Sequence, residues 1–189
     1  MIEIALQFLR DEVNTFLGTA TGSNAVEVKL SSVVDDAGKY AFEQEVVGCS
    51  IINIEEERTL KAHLPQRSYT NGQHVISEPE LKLNLYLMFA ANFKVYEEAL
   101  KYLSHILTFF QSHPGFTQQE FPRLDSRIEK LALELQSLSF EQLNQIWGFC
   151  GGKQLPSIIY KARMVILQPD APSLVRQPLS IISTSILSK

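Results

Sequence analysis

The sequence predicts an α/β (α+β) protein: a single domain with a mixed, mostly antiparallel sheet of about five strands and flanking helices. Segments with helical apolar spacing alternate along the chain with segments in which every second residue is apolar. The 189 residues, 45% of them hydrophobic, are enough for one domain with a substantial core. We therefore expect a domain over residues 1–168, followed by a proline-rich arm over residues 169–189.

The first predicted elements are an amphipathic helix and a half-buried strand. Apolar residues recur at spacings of three and four from Ile2 to Leu17, which predicts a helix that ends near Gly18. Turn-forming residues follow, and residues 25–34 then alternate between apolar and polar. The apolar face of this strand is predicted to consist of Val26, Val28 and Leu30.

A long strand and a long loop come next in the prediction. Residues 46–60 begin with apolar side chains on both faces and end with polar ones on both. Residues 61–80 contain few apolar side chains and are interpreted as an exposed loop. Strict alternation in the strand places Ile51, Asn53, Glu55 and Glu57 on one face, and Ile52, Ile54, Glu56 and Arg58 on the other.

Residues 81–89 form the clearest strand, and a helix follows it. Alternation places leucines and Phe89 on one face, opposite Lys82, Asn84, Tyr86 and Met88. If this strand pairs with residues 46–60 as an antiparallel hairpin, Glu55 and Glu57 share a face with Lys82, Asn84 and Tyr86. For the helix, Asn92 is the predicted N-cap, and the predicted buried stripe is Val95, Tyr96, Ala99, Leu100, Leu103, Ile106, Leu107 and Phe110.

The C-terminal half predicts two further strands around a short helix. Residues 128–136 alternate as a strand does, although the spacing of Ile128, Leu131, Leu135 and Leu138 also fits a helix. Ser139 and Gln142 form a capping box for a helix that ends at Gly151. The apolar, β-branched run over residues 156–168 predicts a strand near the centre of the sheet.

Charge and composition exclude several classes of protein. The net charge of -4 argues against nucleic acid as a partner, since such binders need lysines and arginines to neutralise phosphates. The first residues lack the basic segment and unbroken apolar run of a signal peptide, and no apolar run is long enough to span a bilayer. We expect a soluble protein made in the cytoplasm, with Cys49 and Cys150 reduced.

No motif in the sequence predicts a catalytic, cofactor or metal site. Glu55, Glu56 and Glu57 are carboxylates that suit cations or acid/base chemistry, but neighbouring strand residues point to opposite faces and no other ligand has suitable spacing. The four histidines lack zinc-site spacing, and residues 147–153 do not match a phosphate loop. Two readings of the glutamates therefore remain open, a solvated strand end and a charged edge that faces a partner.

The last residues resemble an arm that adds a strand to another subunit. Residues 179–187 are uncharged and β-prone, and they follow three prolines. A frayed terminus is the alternative. The residues predicted to make contact are Leu179, Ile181, Ile182 and Ile186.

Three ordered blocks of sequence carry a resemblance to one family. Residues 53–60 (NIEEERTL), 83–103 (LNLYLMFAANFKVYEEALKYL) and 138–164 (LSFEQLNQIWGFCGGKQLPSIIYKARM) are similar to the cap or tube-terminator proteins of extracellular contractile injection systems, which are particles similar to phage tails. The resemblance covers most of the chain to about Met164. It implies a fold similar to phage tail terminators for residues 1–168.

The resemblance also implies a structural function. It implies a hexameric ring that binds the inner tube protein and the sheath protein, stops their polymerisation, fixes particle length and holds the sheath extended. The particle would be released or membrane-anchored, with no cofactor and no small-molecule substrate. Glu55, Glu57, Arg58 and Lys82 are the predicted contact residues of the domain, and the alternative function is a small hydrolase or ligand-binding domain that uses Glu55 or Glu57.

Overall fold

The computed structural model describes residues 1–57, 66–70, 73–77, 81–151, 153–166 and 174–176. Helices lie at α1 (Ile2–Thr21), α2 (Tyr96–Ser112) and α3 (Phe140–Cys150). The strands are β1 (Glu27–Leu30), β2 (Val46–Glu56), β3 (Gln66–Thr70), β4 (Gln73–Ser77), β5 (Leu81–Asn92), β6 (Gly115–Thr117), β7 (Ile128–Leu135), β8 (Ser157–Ile166) and β9 (Leu174–Arg176).

The described strands form two sheets. The main sheet has six strands in the order β1-β2-β5-β8-β7-β6, in which β1 runs parallel to β2 and every other pair is antiparallel. A second sheet has the order β3-β4-β9. The predicted mixed, mostly antiparallel sheet is confirmed, and so is the central place of β8, whereas β3, β4, β6 and β9 have no counterpart in the prediction.

Helices cover the two faces of the main sheet unequally. One face packs against α1 and α2 and forms the larger core, which includes Leu85, Leu87 and Phe89 of β5. The opposite face is covered at one end by α3, where Trp147 packs against Met88 and other residues of the sheet. This smaller core leaves the other end of that face without a described helix over it.

The N-terminal helix is longer than predicted, and the following strand is shorter. Gly18 lies inside α1, which ends at Thr21 because Gly22 adopts a left-handed φ of 67° that favours glycine. The strand predicted over residues 25–34 is confined to β1, since the chain turns away from β2 after Ser31 donates its N–H to the Cys49 carbonyl. Val28 is fully buried, while Val26 and Leu30 are half-buried.

A β-bulge in β2 changes which residues share a face. Ile51 pairs with Leu87, but Asn53 pairs with Tyr86, so Ile52 is the extra residue. Paired residues of antiparallel strands point to the same face, which puts Ile51 on the face of α1 and α2 and Asn53 on the opposite face. The predicted grouping of Ile51 with Asn53 is therefore wrong, and so is the grouping of Ile52 with Ile54.

The segment predicted as a loop over residues 61–80 contains strands β3 and β4. These two strands pair as an antiparallel hairpin, and β9 pairs with β4 from the other side. The sequence offered little sign of them because few of their residues are apolar. The predicted strand over residues 46–60 ends at Glu56, and residues 58–60 lie outside the described part of the chain.

The helix after β5 begins later than predicted. Strand β5 continues to Asn92, whose side-chain amide donates to the carbonyl oxygens of Phe42 and Glu43 and does not cap a helix. Val95 is the N-cap of α2. Three residues of the predicted buried stripe are exposed: Val95, Tyr96 and Leu100.

The C-terminal elements agree more closely with the prediction. Residues 128–135 form strand β7, although Leu135 at its end is exposed. The capping box of Ser139 and Gln142 is present, and Gly151 adopts the left-handed conformation after α3. The strand predicted over residues 156–168 is β8, of which the structure describes Ser157–Ile166.

Candidate assembly surface

A band of polar side chains lies on the end of the sheet face that α3 does not cover. Below, this band is called the polar face. It follows from the register of four neighbouring strands, because Asn84 pairs with Glu55 on one side and with Arg163 on the other, and Lys161 pairs with both Tyr86 and Glu134. Its members are Asn53, Glu55, Glu57, Lys82, Asn84, Tyr86, Lys130, Glu134, Lys161 and Arg163.

Hydrogen bonds connect the carboxylates of Glu55 and Glu57, at the end of β2, to side chains of β5. The Tyr86 hydroxyl donates to Glu55 Oε2 at 3.0 Å, and Asn53 Nδ2 donates to Glu55 Oε1 at 2.9 Å. Asn84 Nδ2 donates to Glu57 Oε2 at 3.1 Å, and the Glu57 backbone N–H donates to the Lys82 carbonyl. These contacts confirm the predicted hairpin register, in which Glu55 and Glu57 share a face with Asn84 and Tyr86.

Cations of β8 occupy the other half of the polar face. Arg163 Nη2 lies 2.6 Å from Glu134 Oε2 in an ion pair, and both side chains are more than half exposed. The Lys161 ammonium lies 5.8 Å from the centre of the Tyr86 ring, within range of a cation–π contact. The cations of β8 therefore lie between carboxylates of β2 and β7, with β5 separating β8 from β2.

The environment of Tyr86 keeps its hydroxyl protonated. Partial burial is the first cause that raises the pKa of Tyr86, and its hydrogen bond to the Glu55 carboxylate is the second. The charges of Glu134 and Glu57 act in the same direction. Tyr86 is thus a hydrogen-bond donor that holds Glu55 in place at neutral pH.

The exposed ion pair of the polar face adds little to the stability of the fold. An exposed ion pair such as the one between Arg163 and Glu134 contributes about 0–1 kcal/mol, because water screens the charges and the side chains lose freedom. Complementary charges across an interface instead speed association and exclude wrong partners. The arrangement is suited to recognition of a protein surface that carries matching charges.

The same residues do not form a catalytic constellation in the described part of the chain. No group of three or more potential metal ligands occurs there. Both histidines whose side chains are described, His105 and His113, belong to α2 and its C-cap, on the opposite face of the sheet. Burial raises the pKa of Cys49 to about 12, so this thiol is not a nucleophile.

The structure brings some of the predicted contact residues together and leaves others undescribed. Glu55, Glu57 and Lys82 lie on the polar face. Arg58 lies outside the described residues, as do Leu179, Ile181, Ile182 and Ile186. The sequence analysis did not predict Glu134, Lys161 or Arg163 as members of this surface. Lys161 and Arg163 alternate in β8, which indicates a shared face, but only the pairing of β8 with β5 and β7 shows which face it is.

Solved structures define the class of fold as that of tube terminators. The chain is similar to the "sheath/tube terminator in extended state" of PVC, an extracellular contractile injection system, with a TM-score of 0.58 and 11% identity over 94% of this chain and 62% of that one. It is also similar to the anti-feeding prophage cap, a tube-terminating cap, with a TM-score of 0.59 and 13% identity over 94% of this chain and 60% of that one. This confirms the predicted fold resemblance.

The chain belongs to the family of the Pvc16 N-terminal domain, whose model matches residues 5–181. It spans about three fifths of the length of the two solved relatives. A comparison with curated proteins found no match. Within the described residues, no helix has the length and apolar character needed to cross a membrane.

Proposed function

We propose that this chain is a non-catalytic structural protein that caps the inner tube and sheath of a contractile injection system. The observation that carries the proposal is the terminator fold over 94% of the chain, combined with membership of the Pvc16 N-terminal domain family. Both solved relatives are described as terminators or caps.

The proposed cap is a ring of six copies. A ring closed by rotation uses two different, complementary patches on each copy, so that one patch meets the other on the neighbour. The polar face suits such a patch because it carries both signs of charge on a rigid sheet. Glu55 of β2 and Glu57, which directly follows β2, are proposed as contact residues, and Lys82, Lys161 and Arg163 are those proposed on β5 and β8.

The ring would act by occupying the end of the growing tube and sheath. Tube and sheath subunits that meet it have no further surface on which to add, so particle length is fixed. Contacts to the last sheath ring would hold the sheath extended until it contracts. Arg58 is proposed as a further contact residue.

The test replaces the two carboxylates at the end of β2 that belong to the polar face with lysine in one variant, Glu55→Lys with Glu57→Lys. We expect assembly with neighbouring copies or with the tube to weaken at least about tenfold, because like charges placed opposite each other cost several kcal/mol. Glu55 is exposed, but Glu57 is half-buried and accepts from the buried Asn84 amide, so folding should weaken modestly and far less than assembly. Sedimentation measures the ring, electron microscopy measures tube length, and thermal unfolding measures the fold.

The matched control is Glu120→Lys with Glu129→Lys, which makes the same charge change at exposed positions outside the polar face. This control should assemble like the parent. If both pairs of substitutions affect assembly equally, the polar face is not the contact surface. Absence of the protein from the end of the tube in particle images would overturn the proposed function itself.

A further inference from the structure

The outer edge of β2 is covered over only part of its length. Strand β1 pairs with Val46–Cys49, and no other described strand pairs with the outer edge of β2 beyond that point. Residues 52–55 therefore have no described strand beside them on the side away from β5. This part of β2 is called the open edge below.

Backbone groups on the open edge point away from the sheet. The Glu57 N–H donates to Lys82 of β5, and alternate residues of a strand direct their backbone groups to alternate sides, so Ile54 faces outward. The Ile54 N–H is held by the side chain of its own neighbour, Asn53, at 2.9 Å. That local contact is exposed and can give way to a backbone acceptor from another chain.

Other edges of the main sheet are protected. Asn14 of α1 both accepts from the Val28 N–H at 2.7 Å and donates to the Val28 carbonyl at 3.1 Å, which closes the outer edge of β1. At the far side of the sheet, β6 has only three residues. Proteins commonly block edges in these ways because an open edge pairs with other chains, so the exception at β2 marks a pairing site.

An apolar cleft adjoins the open edge. The cleft has a volume of about 470 Å³ and lies where β1 ends and the segment after it turns away from β2. Its lining includes Leu30, Val33, Ile51, Ile52 and Phe149, with serines between them. Ile54 beside it is 48% exposed and Phe149 is 67% exposed. A strand laid along the open edge would place alternate side chains against these residues.

We propose that the open edge of β2 receives residues 179–187 of a second copy of this chain as an added strand. This segment reads LSIISTSIL, so it contains no charge, glycine or proline and mixes apolar residues with hydroxyls, as the cleft does. Each copy then carries one donor segment and one acceptor edge, which is the pair of unlike patches that a ring needs. The inference rests on the proposed ring for its geometry.

The test is thiol cross-linking of co-expressed full-length chains in a Cys150→Ser background. One chain carries Ile54→Cys, and the other carries Ile181→Cys or Ile182→Cys, since adjacent strand residues point to opposite faces. A bismaleimide with a span of about 8 Å reaches directly opposite and diagonal neighbours on paired strands. We expect a product with the mass of two chains, and none when Glu129→Cys, at an exposed position of β7, replaces Ile54→Cys.

Different failures overturn different statements. A ring that forms without the cross-link overturns strand addition but leaves the proposed cap standing. Cross-linked pairs without a closed ring support strand addition and overturn the ring. If one chain that carries both Ile54→Cys and Ile182→Cys is linked only within itself, the donor is not a second copy and the inference fails.

Discussion

At the scale of single residues, Tyr86 shows how a strand pairing creates an electrostatic site. Its hydroxyl donates to Glu55, and its ring lies under Lys161. Both contacts exist because β5 lies between β2 and β8. Neither can be read from the neighbours of Tyr86 in the chain.

The raised pKa of Tyr86 predicts a loss of stability at high pH. A group whose pKa is higher in the folded state stabilises the fold below its unfolded pKa of about 10, and this contribution is lost as the pH rises through the folded value. The free energy of unfolding of the Tyr86→Phe variant should therefore fall less steeply above about pH 10 than that of the parent protein. Denaturant unfolding across this pH range tests the prediction, and identical slopes of the free energy of unfolding against pH would contradict it.

The Glu55→Gln variant should lower the pKa of Tyr86, because the charge of Glu55 is removed. The difference absorbance of tyrosinate measures this pKa.

Gly48 is a second position at which one residue type is required by packing. A Cβ at Gly48 would lie 2.4 Å from the ring of Phe42, which is buried against β2. Gly48→Ala should lower the free energy of unfolding by about 1–3 kcal/mol, because the ring must move within a packed core. Denaturant unfolding measures the change.

Gly148 in α3 provides the matched comparison for Gly48. Nothing lies within 4 Å of a Cβ added there. Gly148→Ala should leave stability unchanged or raise it by about 0.5–1 kcal/mol, because alanine favours the helix. Equal destabilisation by both substitutions would mean that the contact with Phe42 is not the cause.

At the scale of elements, the start of α3 depends on its capping box. The Ser139 side chain accepts from the Gln142 N–H, and the Gln142 side chain accepts from the Ser139 N–H. Ser139→Ala should cost about 1 kcal/mol of stability, because a helix N–H loses its partner. Ser137→Ala, two residues earlier at an exposed position, is the control and should have no effect in the same thermal unfolding experiment.

The contact of α1 with β1 depends on Asn14. Its side chain makes two hydrogen bonds to the backbone of Val28, a buried residue. Asn14→Ala should cost about 1–3 kcal/mol, since two backbone groups lose their partner in a largely buried place. Hydrogen exchange of the Val28 amide should also become faster. An unchanged exchange rate would show that another group protects this edge.

At the scale of the whole molecule, the fold and the proposed assembly depend on different surfaces. The two cores on either side of the sheet hold the fold, whereas the polar face carries exposed charges of little value for stability. Assembly through the polar face should therefore weaken as salt is raised, because exposed charges are screened. Sedimentation at increasing salt concentration measures the extent of assembly, and the temperature of thermal unfolding should change far less over the same range. Assembly that is insensitive to salt would indicate an apolar interface.

Local sequence pattern was sufficient for features that depend on neighbours in the chain. The capping box of Ser139, the alternation in β5 and the amphipathic spacing of α1 follow from hydrogen bonds and periodicities within a few residues, and the structure contains all three. The resemblance of three blocks to terminator proteins also came from sequence, and the fold agrees.

Features that depend on distant parts of the chain required the folded structure. The bulge at Ile52 reverses the faces of β2, and Lys161 reaches Tyr86 only through the pairing of β8 with β5. Among the described strands, nothing pairs with the outer edge of β2 beyond Cys49, because β1 stops at Leu30. Register, edge coverage and bulges are set by long-range pairing, where a shift of one residue moves a side chain to the other face. For this reason the sequence left open whether Glu55 and Glu57 end a solvated strand or face a partner, and contact with a partner stays a prediction, whereas the surface they belong to emerged from the arrangement of four strands.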